Sequence, residues 1–172
     1  MKASNAVRGD KMDVFDYALK IETDGENYYR ELAQKSNHEG FANILSMLAD
    51  EEVKHREALV RMRNREKHAL PDSTVLKNAR AVLQKLRDMD REFDFSMSEL
   101  DLYKKALELE AKSQELYEKS AMESEDEHEQ GVLLKMAKEE EKHFYVLENI
   151  LEFVSRPESW TENPEFHHTE DY

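Results

Sequence analysis

The chain has 172 residues, enough for one domain with a real buried core, and carries a formal net charge of −14. Four glycines and three prolines, with 37% charged residues, favour long helices with wide solvated faces over disorder or an all-β fold. The absence of cysteine excludes disulfides, iron–sulfur clusters, thiolate zinc sites and thiol catalysis, and the acidity repels nucleic acid and anionic membrane surfaces.

The polar opening Met1–Asp10 shows no secretory signal and no run approaches a membrane span, so a soluble, cytoplasmic protein is expected. The first helix is expected over about 11–36, with a seam of Val14, Ala18, Ile21, Gly25, Tyr28 and Leu32. Asn37-His38-Glu39-Gly40 breaks it, and a second helix follows over about 38–68 on Phe41, Ile44, Leu48, Leu59 and Met62. Pro71 opens a crossover over about 71–97, whose stretch Val75, Val82, Leu83, Leu86 and Met89 predicts a helix of its own. The third helix, about 98–123, begins where Ser96 and Glu99 can form a capping box and carries Leu102, Ala106, Leu109 and Leu116. Ser124 and Glu127 offer a second box before the fourth helix, about 125–155, with Val132, Met136, Leu147, Ile150 and Val154 on its face. Pro157 ends it. The tail, 156–172, holds Trp160, Phe166 and Tyr172 and is expected to dock on its own bundle or on a partner subunit.

The two halves repeat. Ala18-Leu19-Lys20-Ile21-Glu22 returns as Ala106-Leu107-Glu108-Leu109-Glu110, and Leu48-Ala49-Asp50-Glu51-Glu52-Val53-Lys54-His55 returns as Met136-Ala137-Lys138-Glu139-Glu140-Glu141-Lys142-His143. One offset of 88 residues also relates Tyr29 to Tyr117 and Ala33 to Ala121. A repeat that runs without a gap through a loop predicts an all-α domain over 1–172: a four-helix bundle of two pseudo-symmetric hairpins joined by the crossover.

Glu52-x-x-His55 and Glu140-x-x-His143 put a carboxylate and an imidazole one turn apart on one helix face. The motif alone is weak. It occurs four times, and Glu125 with His128 and Glu165 with His168 lack an apolar frame. Register distinguishes the helical pair: Phe41, Ile44, Leu48, Glu52, His55, Leu59, Met62 and Val132, Met136, Glu140, His143, Leu147, Ile150 place each Glu and His where the period demands an apolar residue. Glu22 and Glu110 border the matching stripe in the other two helices. The competing reading, seam-edge groups paired with Lys or Arg, fits one half alone but not both halves in one register. Four carboxylates in a core need compensation, which two divalent cations supply. Oxygen and imidazole donors without sulfur suit Fe, Mn or Zn. Tyr29 and Tyr117, two turns after Glu22 and Glu110, are placed to donate to a ligand carboxylate of the opposite half, with plain core packing as the alternative. Gly25 and Ser113 are symmetry equivalents one turn after Glu22 and Glu110. They read either as close packing of the first and third helices or as room beside the metals for a small oxidant.

On Ile21-Glu22 with Tyr29, Leu48 through His55, Leu109-Glu110 with Tyr117, and Glu139-Glu140-Glu141-Lys142-His143, the chain resembles the rubrerythrin group of ferritin-like di-iron proteins, over about Phe15 to Leu151. The resemblance implies a non-haem di-iron site held by Glu22, Glu52, His55, Glu110, Glu140 and His143. Such a site reacts with hydrogen peroxide or dioxygen and is re-reduced by an electron donor. Full-length rubrerythrins append a rubredoxin domain with Cys-ligated iron; with no Cys here, the donor is expected to be a separate protein. They also commonly carry a further Glu one turn after the third-helix ligand, which trades places with a His as the iron changes redox state, and that position here is Ser113. Two other readings compete. One is iron oxidation and storage, as in bacterioferritin-like subunits, although no Met haem ligand is evident and the long crossover and aromatic tail are unlike a cage subunit. The other is a module with purely structural metals. A homodimer or small homo-oligomer is expected.

Overall fold

The computed structural model describes residues 14–67, 69–89 and 96–155. Helices α1 (Val14–Lys35) and α2 (Glu39–Arg63) form one antiparallel hairpin, and α4 (Met97–Glu123) and α5 (Glu127–Ser155) form the other. Helix α3 (Val75–Asp88) lies in the connection and packs on α2 and α5. The result is the all-α four-helix bundle of paired hairpins that the repeat predicts.

The core has two apolar clusters with a polar middle. One, beside α3, contains Phe41, Ile44, Leu48, Leu83, Leu147 and Ile150, and the other contains Ala58, Leu59, Met62, Tyr117, Val132 and Met136. Each fully buried Leu, Ile or Phe contributes about 1.5–3 kcal/mol, so the clusters anchor the helices on both sides of the segment that carries Glu52, His55, Glu140 and His143. Leu86 of α3 packs onto the first turn of α2, where a Cβ on Gly40 would lie 2.8 Å from Leu86 Cδ1.

The inward faces of α1 and α4 differ from the expected seams. Glu22 and Tyr29 in α1, and Tyr103, Glu110, Ser113 and Tyr117 in α4, are buried, whereas Ile21, Tyr28, Leu102 and Leu116 are half-buried and Leu109 is 39% exposed. The polar residues do not border the stripe; they occupy it. Glu22 and Glu110 each accept one hydrogen bond from a buried Tyr across the bundle, which holds them inside and leaves their apolar neighbours at the edge.

Helix ends also differ. Ser96 and Glu99 form the expected capping box of α4. At α5 the expected box of Ser124 and Glu127 is not made. Asp126 caps instead, its Oδ1 accepting from His128 N at 2.8 Å and Glu129 N at 3.0 Å. Helix α2 stops at Arg63 rather than near residue 68. Arg65 has φ +57°, its N–H donates to Met62 O (2.8 Å), and Glu66 N–H donates to Arg61 O (3.0 Å), which is a Schellman closure. The aromatic tail, His68, His167 and His168 lie outside the described residues.

Candidate metal centre

Helix periodicity delivers the polar middle. Glu52 and His55 are one turn apart on α2, Glu140 and His143 one turn apart on α5, and α1 and α4 each add one carboxylate, Glu22 and Glu110. All six are buried, Glu22 and His143 with 0% of their surface exposed. His55 Nδ1 lies 2.7 Å from Glu140 Oε1, 3.4 Å from Glu22 Oε2 and 3.8 Å from Glu52 Oε2. His143 Nδ1 lies 3.3 Å from Glu52 Oε1 and 3.6 Å from Glu110 Oε2. The two imidazoles stack across the pseudo-dyad, ring centres 5.3 Å apart and 14° from parallel.

These contacts divide into two overlapping groups. Glu22, Glu52, His55 and Glu140 bring one donor atom each within 4.8 Å of one another, and so do Glu52, Glu110, Glu140 and His143. Glu52 and Glu140 belong to both. Such an arrangement is that of two adjacent cation positions, each with one His and one Glu of its own and two carboxylates in common. The sequence located the six residues but not this sharing.

Hydrogen bonding leaves the cluster incomplete. Glu22 Oε2, Glu110 Oε2, Glu140 Oε1 and the ring nitrogens of His55 and His143 are buried without a hydrogen-bond partner. Some lie close to one another, as His55 Nδ1 and Glu140 Oε1 do at 2.7 Å, without meeting hydrogen-bond geometry. Buried orphan donors and acceptors cost about 1–3 kcal/mol each, so a group that accepts electron pairs fits here, and oxygen with imidazole nitrogen is the donor chemistry of first-row metals.

Electrostatics agrees. Burial, reinforced by the charge of Glu52, pushes the carboxyls of Glu22 and Glu140 well above the carboxylate range. Burial would also raise Glu52, but the adjacent His143 pulls it down to about 2. Burial lowers His55. It acts the same way on His143, but the Glu110 carboxylate overrides it and raises His143 to about 10. Burial thus disfavours ionisation of these two carboxyls, and bound cations would compete with protons for them.

Around the cluster, Tyr29 Oη donates to Glu110 Oε1 and Tyr117 Oη donates to Glu22 Oε1. Each hydroxyl reaches the opposite half, as the repeat predicts. Burial pushes the Tyr29 phenol far above its ordinary range, so it stays a donor. Glu51 and Glu139, also related by the 88-residue offset, are buried beside the cluster and pair with Lys54 (2.6 Å) and Lys142 (3.0 Å). Residue type hides this pair among the many surface Glu–Lys pairs, although the repeat marks it. Of the other Glu-x-x-His matches, Glu125 and His128 are exposed where α5 begins, and Glu165 with His168 falls outside the described residues. His38 packs edge-on against Phe41 at 5.9 Å.

No described helix is long and apolar enough to cross a membrane. A search of curated proteins returns no match. Among solved structures, the hypothetical protein Pfu-1136390-001 from Pyrococcus furiosus shares the fold, with a TM-score of 0.64 and 21% identity over 83% of this chain and 88% of that one. The family model described as rubrerythrin matches residues 13–151, a span that holds all four bundle helices save the end of α5. With that match, a ferritin-like bundle and a buried carboxylate–histidine cluster that fits two metal ions, the chain belongs to the rubrerythrin family.

Proposed function

We propose that the protein is a non-haem di-iron oxidoreductase of oxidative-stress defence. It reduces hydrogen peroxide or dioxygen and is re-reduced by a separate electron-donor protein. The metal ligands are Glu22, Glu52, His55, Glu110, Glu140 and His143. The observation that carries the reading is the pair of four-residue donor groups sharing Glu52 and Glu140. When bound, the irons supply two electrons to the O–O bond. The chain's own residues do the rest. Glu52 and Glu140 hold the two positions at a fixed separation, and Glu22 with His55 and Glu110 with His143 complete one position each. Tyr117 and Tyr29 orient Glu22 and Glu110, and the apolar clusters pack the bundle on both sides of the site. The protein works in the cytoplasm as a small homo-oligomer.

The test is metal content per chain after anaerobic loading with ferrous iron, followed by the near-ultraviolet spectrum on adding peroxide. Two irons per chain are expected, with a spectral change within seconds. Because Glu52 and Glu140 serve both positions, Glu52→Ala or Glu140→Ala should lose both ions rather than one. One ion or none in the wild type, or two in either variant, would overturn the reading.

A further inference from the structure

A pocket of about 110 Å³ runs between α1 and α4 to the carboxylate cluster. Asp24 and Leu109 are exposed at its outer end, and Glu52, Glu110 and Glu140 are buried at its inner end. Gly25, half-buried, and Ser113, buried, line it as well. A Cβ on Gly25 would lie 3.4 Å from Glu52 Cδ and 3.7 Å from Glu52 Oε2, so a longer side chain would fill the pocket. One wall is pinned. Tyr28 lines the pocket from α1, its Oη donates to the Leu102 carbonyl on α4 at 2.8 Å, and Lys105 Nζ sits 5.6 Å from its ring centre. The pseudo-symmetric mate of Tyr28 is Leu116, which has no such hydroxyl, so this anchor exists in one half only.

A glycine inside a helix costs about 1 kcal/mol relative to alanine, and here the missing side chain is what leaves the space open. An apolar cavity of about 150 Å³ holds benzene, while a water occupies about 30 Å³ of liquid. The pocket therefore has room for a molecule of a few heavy atoms and is too small for an aryl group with its substituents.

We infer that this pocket is the port through which the oxidant reaches the cluster, and that Gly25 and Ser113 set its size limit, admitting hydrogen peroxide or dioxygen and refusing bulky aralkyl hydroperoxides. The inference rests on the di-iron reading above and adds the size class of the substrate.

The test uses iron-loaded full-length protein, with azide as a small probe followed by absorbance, and compares oxidation by hydrogen peroxide with that by cumene hydroperoxide. A pocket that must accept extra bulk discriminates by tenfold or more, so the wild type should react with cumene hydroperoxide at least about tenfold more slowly than with hydrogen peroxide. Gly25→Leu should retain two irons and bind azide at least about tenfold more weakly. Should Gly25→Leu displace Glu52 and lose metal, Ser113→Val, which narrows the pocket from α4, takes its place with the same readouts. Unchanged azide affinity in a two-iron variant, or equal rates with the two oxidants, overturns the port while leaving the di-iron reading intact. Failure of the wild type to bind iron removes both.

Discussion

Tyr29 and Tyr117 tie each carboxylate to the opposite hairpin, since Glu110 on α4 is held from α1 and Glu22 on α1 is held from α4. Loss of a hydroxyl leaves a buried carboxylate with one donor fewer and free to turn. Residues that orient a ligand in this way typically change metal affinity by 10–100-fold, whereas a lost buried hydrogen bond costs about 1–3 kcal/mol of stability. Tyr29→Phe and Tyr117→Phe should therefore each weaken iron binding by about one to two orders of magnitude, to a similar extent, while the metal-free chain still unfolds cooperatively. Competition titration against a chelator checks this, and wild-type affinity in both variants would refute it. The pairing was legible in the sequence because one offset maps Tyr29 onto Tyr117 and Glu22 onto Glu110. Leu109 was not. It reads as core by residue type, but the turn of the helix cannot point both Leu109 and Glu110 inward, and Glu110 has the stronger internal partners.

At the scale of elements, hydrophobic period and capping chemistry gave the type and order of the helices, since long periodic runs are hard to misread. Their ends were less legible. The end of α2 rests on Arg65 in the left-handed region, a conformation that glycine marks in a sequence and arginine hides. An L-residue there costs about 1–2 kcal/mol. Arg65→Gly should accordingly raise stability by about 1 kcal/mol, with part of the gain offset by the freer unfolded chain. Chemical denaturation of the metal-free protein measures it, and a destabilised variant would show that the arginine side chain matters more than its backbone. The start of α5 was misread for a related reason. Ser124 and Asp126 are both good capping residues, and only geometry shows that Asp126 takes the amides while Ser124 Oγ donates to Glu129 Oε2 at 2.6 Å.

For the whole molecule, the metal-free fold must bury protons in place of cations. Glu22, Glu140 and His143 keep protons in the folded chain that the unfolded chain has released above their ordinary values of 4.5 and 6.5. A group raised in this way stabilises fully below its unfolded value, and the contribution is lost as pH climbs toward the folded one. Glu52, lowered to about 2, and His55, also lowered, act in the opposite sense, but their windows lie below 4.5 and 6.5. From pH 7 toward 10 the raised groups therefore decide the slope. The melting temperature of the metal-free protein should fall across that range, and two bound divalent ions, which displace those protons, should flatten the fall. A metal-free Tm that rises with pH would contradict this account.

Both donor groups straddle the boundary between the hairpins. One takes three residues from the first hairpin and Glu140 from the second; the other takes three from the second and Glu52 from the first. Neither hairpin holds a complete set, yet each offers the same Glu, Glu and His in the same register. The constellation thus requires two such hairpins facing each other and does not depend on their sharing one polypeptide. In that light the stretch from Asn64 to Ser96, with α3 inside it, is a tether. It converts an encounter between two molecules into one within a single molecule, at an effective concentration set by its length.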